Sequence, residues 1–258
     1  MRLLHIGDIV GKPARDKLRL ELSRLRETLK LDVITANAEN AAAGSGINRA
    51  IYNELIAMGL DCLTMGDHSF KRKEGLPVLE TQERIVRPAN YPSRAPGKGF
   101  CVFDIGRSVR CAVVNLQGRV FMQPIDCPFA AADRVLRQLP PDVKVIFVDF
   151  HAEATSDKQI MGRYLDGRVT AVLGTHTHVV TADEQIFPGG TAFQCDVGMT
   201  GSMKSIIGRQ IDRVTETTLT GRPTVYDVAE EDVQIHGTIV DFDPWTGRAT
   251  AIERLCVC

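Results

Sequence analysis

The first 70 residues of the chain repeat one pattern, in which a short apolar run leads into a polar or glycine-containing turn. The runs at residues 3–6, 33–36 and 62–65 are short and mostly apolar, as expected of buried strands. Leucines at helical spacing predict an amphipathic helix over about residues 14–30, and a second helix is predicted over 49–58. Strands that alternate with helices in this way predict an α/β fold.

The same alternation continues through the rest of the chain, without an internal repeat or an interdomain linker. A helix is predicted over residues 130–139, and another begins near Ser156 as its N-cap. The remaining predicted strands are residues 84–90, 100–105, 109–116, 143–150, 169–173 and 192–197, followed by a hairpin of residues 233–242 and 249–255. The chain is therefore predicted to form a single domain over residues 1–258.

Many predicted strands end next to side chains that can bind metals, and open α/β sheets place their ligands at the carboxyl ends of strands. The candidates are Asp8, Glu39, Asn40, Asp67, His68, His151, His176 and His178. Carboxylates combined with imidazoles suit first-row divalent ions such as Mn, Fe, Zn or Co. Two such ions about 3.5–4 Å apart can hold a phosphoryl group and activate water for in-line attack.

Some of these motifs are weak when they are taken alone. The His176–His178 pair in Gly174-Thr-His-Thr-His is, by itself, more often a pair of loop histidines than a metal site. Glu39 and Asn40 alone would indicate a solvated loop with a helix cap. Their combination at successive strand ends favours the metal site.

Composition limits which binding partners and which cellular compartment we expect for the protein. The 31 basic and 32 acidic side chains nearly cancel, so bulk charge gives no argument for duplex DNA or an anionic membrane as a partner. The seven cysteines are odd in number and lie mostly in apolar runs, as reduced cysteines do. Cys256 and Cys258 are more simply explained as a frayed last strand than as a metal site. With neither a secretory signal nor a membrane-spanning apolar run, a cytoplasmic protein is predicted.

The ordered motifs resemble those of the calcineurin-like metallophosphoesterases, and most closely the YmdB-like branch of that family. The branch motifs N-A-E-N, E-A-T-S-[ED]-K and G-T-H-T-H-V occur here at residues 37–40, 153–158 and 174–179, and Gly198–Gly201 also fits. The resemblance covers nearly the whole chain. It implies a four-layer αββα sandwich, with two packed mixed β-sheets flanked by helices.

The resemblance also implies two overlapping sets of metal ligands. One ion would be bound by Asp8, Glu39, Asn40 and His178, and the other by Glu39, Asp67, His151 and His176, so that Glu39 bridges both. This chain departs from the wider family at three positions: Val10 replaces a histidine, Glu39 an aspartate and Asp67 the usual asparagine. We expect Asp67 to tighten metal binding and to make the ions weaker Lewis acids.

The implied activity is hydrolysis of a small cyclic phosphodiester, most often a 2′,3′-cyclic nucleoside monophosphate, by attack of a metal-bridging hydroxide. His68 is the predicted acid for the leaving oxygen, or alternatively a structural histidine. Iron or manganese is the expected metal, with zinc and cobalt as alternatives. Residues 41–46, 69–74 and 198–201 are candidate substrate loops.

Several other functions stay open at this stage. The chain could be a phosphomonoesterase, a nuclease acting on RNA ends, or a regulatory protein whose metal site binds a nucleotide or RNA. A redox iron site is disfavoured, because paired carboxylates with a bridging position fit hydrolysis better. A homo-oligomer is a further expectation that one sequence does not test.

Overall fold

Two β-sheets stacked face to face form the centre of the computed structural model, which describes residues 1–106 and 109–258. The first sheet has the order β2-β12-β13-β1-β3-β4-β5, with β14 also paired to β13. Its strands are β1 (Arg2–Ile6), β2 (Asp8–Ile9), β3 (Val33–Asn37), β4 (Cys62–Thr64), β5 (Ile85–Val86), β12 (Met199–Ser202), β13 (Val233–Phe242) and β14 (Ala249–Val257).

The second sheet has the order β10-β11-β9-β8-β7-β6. Its strands are β6 (Phe100–Ile105), β7 (Val109–Gln117), β8 (Val145–His151), β9 (Ala171–Thr175), β10 (Gln185–Ile186) and β11 (Ala192–Gln194). Both sheets are mixed. The neighbours β1, β3 and β4 run parallel in the first sheet, as do β7, β8 and β9 in the second.

Helices cover the outer face of each sheet. The described helices are α1 (Gly11–Thr28), α2 (Arg49–Ala57), α3 (Leu76–Thr81), α4 (Pro128–Gln138), α5 (Thr155–Tyr164) and α6 (Ile211–Thr220). Apolar side chains of α1, α2 and α3 form one buried core with the first sheet, and those of α4 and α5 form another with the second sheet. A third core joins the two sheets. The predicted four-layer αββα sandwich is therefore confirmed.

Alternation along β1 shows how the sequence places these layers. Leu3 belongs to the core between the sheets, whereas Leu4 and Ile6 belong to the core beneath α1. The leucines of α1 predicted from helical spacing include Leu18 and Leu22, which are almost fully buried on that same core. The strand and helix periods of the sequence thus specify the same three apolar layers.

The structure corrects several predicted bounds. The strand expected over residues 84–90 is limited to Ile85–Val86, since β4 ends at Thr64 and leaves the segment before Pro88 without a further partner on that side. Ser156 is not the N-cap of α5, because the helix already begins at Thr155 and follows an extended Ala154. Helix α6 was not predicted, and none of its residues is buried.

Two further predictions concern membrane-spanning helices and the number of domains. Among the described residues, no helix combines the length and apolar character needed to cross a bilayer. The single-domain organisation over residues 1–258 stays a prediction.

Candidate metal centre

Side chains from the carboxyl ends of strands in both sheets meet at one edge of the sandwich. Asp8 follows β1, and His151 is the last residue of β8. The other six candidates lie just beyond β3, β4 and β9, whose parallel directions bring their carboxyl ends to the same edge. Gly66 allows the close approach, since a Cβ there would overlap the His151 ring and a Glu39 carboxylate oxygen. The structure therefore places all eight predicted side chains in one region.

Four of these side chains form a compact ligand group, which we call the inner group: Glu39, Asp67, His151 and His176. One donor atom from each lies within 4.8 Å of all the others. His151 Nε2 is 3.1 Å from Asp67 Oδ1 and 3.4 Å from Glu39 Oε2. His176 Nδ1 is 3.0 Å from His151 Nε2 and 3.5 Å from Asp67 Oδ1. Two carboxylates and two imidazoles converging on one point are a suitable donor set for a first-row divalent ion.

The outer group consists of Asp8, Asn40 and His178, and it adjoins the inner group through Glu39. Asn40 Nδ2 is 3.3 Å from Asp8 Oδ1, 3.2 Å from Glu39 Oε1 and 3.3 Å from His178 Nε2. An amide nitrogen has two hydrogens, so it cannot donate fully to three acceptors. Rotating the amide by half a turn would instead bring its oxygen to the same point, completing a set of four donors.

His68 lies between the two groups and is partly exposed. Its Nδ1 is 2.7 Å from Asn40 Oδ1 and 3.3 Å from Glu39 Oε1. Its Nε2 is 3.7 Å from Asp67 Oδ2. The backbone N–H of His68 also donates to Glu39 Oε2 at 2.9 Å. The ring is therefore held against the ligand groups while 27% of the side chain stays open to solvent.

Burial and opposite charge compete in setting the pKa values of the ligands. Burial alone would raise the pKa of Asp8, but His178 outweighs it and the pKa is lowered. Burial would also raise the pKa of Asp67, yet hydrogen bonds from His151 and His176 outweigh it and the pKa is again lowered. Burial would lower the pKa of His151, but Glu39 and Asp67 raise it well above the usual value. Opposite charge therefore outweighs burial in setting the pKa at all three of these side chains.

A second layer of hydrogen bonds fixes the back of His151. Its Nδ1 lies 2.9 Å from Thr175 Oγ1, and that hydroxyl donates to Asp149 Oδ1 at 2.6 Å. Asn37 Nδ2 lies 3.0 Å from Asp149 Oδ2. Burial raises the pKa of Asp149, although His5 and His151 oppose the shift. The hydrogen bonds that link the Asp149 carboxylate, the Thr175 hydroxyl and the His151 imidazole orient the His151 ring toward the inner group.

The turn after β9 directs its two histidines differently. His176 and His178 both have left-handed backbone, with φ of 100° and 66°. Between them, Thr177 donates through its backbone N–H and its hydroxyl to Asp196 Oδ2, at 3.1 and 2.8 Å. Asp196 also forms a buried ion pair with Lys158 at 2.6 Å. This pair holds a strained turn in place, so that Thr177 points away while its neighbours reach different groups.

Two threonines of the turn after β9 hydrogen-bond beside the ligand groups: Thr175 to His151 and Thr177 to Asp196. Thr155 instead begins α5 and is exposed there. Of the two histidines outside the site, His5 is buried between Thr35 and Asp149, and His236 lies within β13.

Sequence reasoning missed three contacts of the centre. Asp149 orients His151 from behind, Glu153 Oε2 lies 3.1 Å from His176 Nε2, and the Ile207 carbonyl accepts from His178 Nδ1 at 2.9 Å. A charged residue inside the apolar run of β8 was a usable signal for Asp149. The Ile207 contact uses backbone alone and leaves no sequence signal.

A four-layer αββα sandwich with carboxylates and imidazoles at its strand ends is the architecture of a metallophosphoesterase. Residues 4–255 match the model of the YmdB-like proteins, and the chain belongs to that family. It is 42% identical over 257 residues to a 2′,3′-cyclic-nucleotide 2′-phosphodiesterase of Bacillus subtilis (strain 168), covering 100% of this chain and 97% of that protein.

Two solved structures share the whole architecture. A hypothetical protein from Thermus thermophilus superimposes with a TM-score of 0.94 at 41% identity, covering 100% of this chain and 99% of the other. A phosphatase from Mycoplasma pneumoniae gives a TM-score of 0.93 at 30% identity, covering 100% and 93%. The family assignment made from ordered motifs is therefore confirmed.

Proposed function

We propose that this chain is a phosphodiesterase that uses two divalent metal ions to hydrolyse small cyclic phosphodiesters, above all 2′,3′-cyclic nucleoside monophosphates. The inner ligand group, with four donor atoms within 4.8 Å of one another, is the observation that carries the proposal. The B. subtilis relative, whose name gives this activity, supports the choice of substrate. Iron or manganese fits the mixture of carboxylate and imidazole ligands, with zinc and cobalt as alternatives.

The residues divide into two overlapping ligand sets in this proposal. Glu39, Asp67, His151 and His176 would hold one ion, and Asp8, Glu39, Asn40 and His178 would hold the other. Asn40 would take part through Oδ1 after rotation of its amide. When bound, the two ions would neutralise charge on the phosphoryl group and supply a nucleophile derived from water. Glu39 has one oxygen near each set, which suits a bridging ligand.

His68 stabilises the leaving oxygen with a hydrogen bond. Rotation of the Asn40 amide places its Nδ2 against His68 Nδ1, which must then accept the hydrogen bond. The imidazole hydrogen is then on Nε2, the nitrogen that is not held by Asn40. Part of the ring is open to solvent, so this N–H can donate to the oxygen that leaves as the ester bond breaks, while the proton that neutralises that oxygen comes from solvent water.

We also propose a cytoplasmic location, because free cysteines are typical of a reducing compartment. All seven cysteines are free, and four of them are buried. Buried thiols at Cys62 and Cys111 have raised pKa values, mainly because of burial, and so stay protonated and unreactive.

The test combines metal analysis with a substrate panel. The purified protein should contain close to two ions per chain and should hydrolyse 2′,3′-cyclic nucleotides faster than 3′,5′-cyclic nucleotides or phosphomonoesters. The His68→Ala variant should lose on the order of 10²–10⁴ in kcat while retaining its metal. Asp104→Asn, an exposed change on β6, is the matched control and should behave like the unmodified protein.

Two results would contradict the proposal. Fewer than one ion per chain, together with no hydrolysis after adding Mn or Fe, would exclude metal-dependent hydrolysis. Faster turnover of phosphomonoesters than of any cyclic diester would identify a phosphatase instead.

A further inference from the structure

An exposed aromatic ring stands at the edge of the sandwich that carries the metal centre. Phe121 is 88% exposed and has left-handed backbone, with φ of 61°, which is rare for a bulky side chain. The backbone N–H groups of Arg119 and Val120 both donate to Asp157 Oδ2 at 3.1 Å. The turn is therefore fixed by a carboxylate from α5, and it presents the ring to solvent.

The backbone connects this turn directly to the metal centre. Gln117 pairs with His151 in the parallel register of β7 and β8, and the Gly118 N–H donates to the His151 carbonyl at 3.0 Å. Phe121 is three residues beyond Gly118, a separation that extended backbone spans in about 10 Å at most. The Phe121 backbone therefore lies within about 10 Å of Gly118, which is itself hydrogen-bonded to His151.

A second aromatic ring borders the same centre on another segment. Phe70 comes two residues after His68, is 36% exposed, and packs against Tyr91 with ring centroids 5.4 Å apart. The Tyr91 hydroxyl donates to the Gly66 carbonyl at 3.1 Å, which ties this pair to the loop that carries Asp67. The two exposed rings thus flank the centre from the β4 side and the β7 side.

Cations accompany both rings. Lys71 and Lys73 follow Phe70, and Arg119 precedes Phe121. All three are exposed, and within residues 1–106 and 109–258 none of them forms an ion pair. Aromatic rings that stack on bases, combined with cations that follow a phosphate backbone, are the means by which proteins bind single-stranded nucleic acid.

We propose that this rim, defined by Phe70, Lys71, Lys73, Arg119 and Phe121, binds the last nucleotides of single-stranded RNA that ends in a 2′,3′-cyclic phosphate. The inference rests on the proposed function and names its substrate class. A mononucleotide has one base and no further phosphate, so it would leave one ring and most of the cations unused. An RNA end supplies a second base and a second phosphate, which match the two rings and the paired cations.

The test compares a cyclic mononucleotide with a six-residue oligoribonucleotide that carries the same terminal cyclic phosphate. The unmodified protein should have the lower KM for the oligonucleotide. Phe121→Ala should raise that KM by about 5- to 150-fold, the loss expected for one stacked base. Phe121→Trp should restore it, because an indole ring also stacks. Leu20→Ala, at a 77% exposed position on α1, is the matched apolar control and should not change the KM of either substrate.

A binding measurement separates this inference from the proposed function. The oligonucleotide should bind the metal-loaded His68→Ala variant, and adding Phe121→Ala should weaken that binding as much as it raised the KM. Equal KM values for both substrates, with oligonucleotide binding unaffected by Phe121→Ala, would overturn the rim as an RNA site. Failure of the unmodified protein to hydrolyse any cyclic phosphodiester would instead refute the proposed function, whatever the binding result.

Discussion

The inner and outer ligand groups meet at Glu39 but are built differently. The inner group already has its donor atoms gathered, and His151 is completely buried and backed by Thr175 and Asp149. In the outer group an amide nitrogen of Asn40 occupies the centre, and the Ile207 carbonyl holds His178 from behind. The inner group is therefore preorganised for an ion, whereas the outer group needs the Asn40 amide to rotate.

This difference has a structural origin. His151 is the final residue of a strand that is buried along its full length, so the β-ladder fixes its backbone. His178 lies beyond the end of β9 on left-handed backbone, and a loop supplies the carbonyl that orients it. Because the four donor atoms of the inner group are already gathered, we expect the inner ion to bind more tightly than the outer ion.

Substituting each histidine of the turn after β9 in turn should have the largest effect on metal content and turnover. We expect His176→Ala to lose the inner ion and His178→Ala to lose the outer ion, each with a rate loss on the order of 10²–10⁴, because several kcal/mol of charge stabilisation disappear. Metal content per chain, measured beside turnover, checks this. If both variants lost the same ion, the two groups would not be separate sites.

Breaking the buried Lys158–Asp196 pair should disturb both groups at once, because it holds Thr177 between the two histidines. Lys158→Met leaves Asp196 buried without its cation, and should lower the free energy of unfolding by about 3–5 kcal/mol. Denaturant unfolding of the metal-free protein checks this. Lys204→Met breaks an exposed pair with Glu231 and is the control, with little or no change in stability expected.

A double variant tests whether the lost stability comes from leaving one buried charge unpaired. Lys158→Met with Asp196→Asn removes both charges and should recover part of the lost stability, since no unpaired charge stays buried. If Lys158→Met were no more destabilising than Lys204→Met, the pair would not be holding the turn.

The clustering of the candidate ligands was predictable from the sequence because parallel strands bring their carboxyl ends to one edge. Asp8, Asp67 and His151 each follow or end a recognisable apolar run, so their positions in the chain fixed their positions in the fold. The Lys158–Asp196 pair was not predictable, since its partners are 38 residues apart and meet only after α5 packs on the second sheet.

The bounds of short elements were also beyond sequence reasoning. The segment over residues 84–90 was predicted as one strand, but the strand's length depends on where its neighbour β4 ends. The orientation of the Asn40 amide depends on neighbouring Glu39 and on two distant residues, Asp8 and His178. Such features follow from tertiary contacts, which a local pattern does not encode.

Metal affinity should depend on pH, because a metal ion and a proton compete for the same imidazole nitrogen. The raised pKa of His151 means that an ion must displace a proton at neutral pH, so metal affinity should rise with pH by about tenfold per unit for each proton displaced. The stability that protonated His151 contributes to the metal-free protein is present below its unfolded pKa and is lost as pH rises through its folded value. Titration calorimetry in buffers of different ionisation enthalpy checks the proton release; none between about pH 6 and 8 would contradict it.

The smallest effect should come from Asp67, which contributes one negative charge to the inner group alone. Asp67→Asn retains an oxygen ligand but removes that charge, so we expect the inner ion to bind roughly tenfold more weakly, about 1.4 kcal/mol. With less negative charge among its ligands, the ion becomes a stronger Lewis acid, and kcat at saturating metal should rise. Inner-ion affinity by competition with a chelator, measured beside kcat, tests both directions. Since the outer group does not include Asp67, its affinity is the internal control, and unchanged inner affinity would show that this charge does not tighten the site.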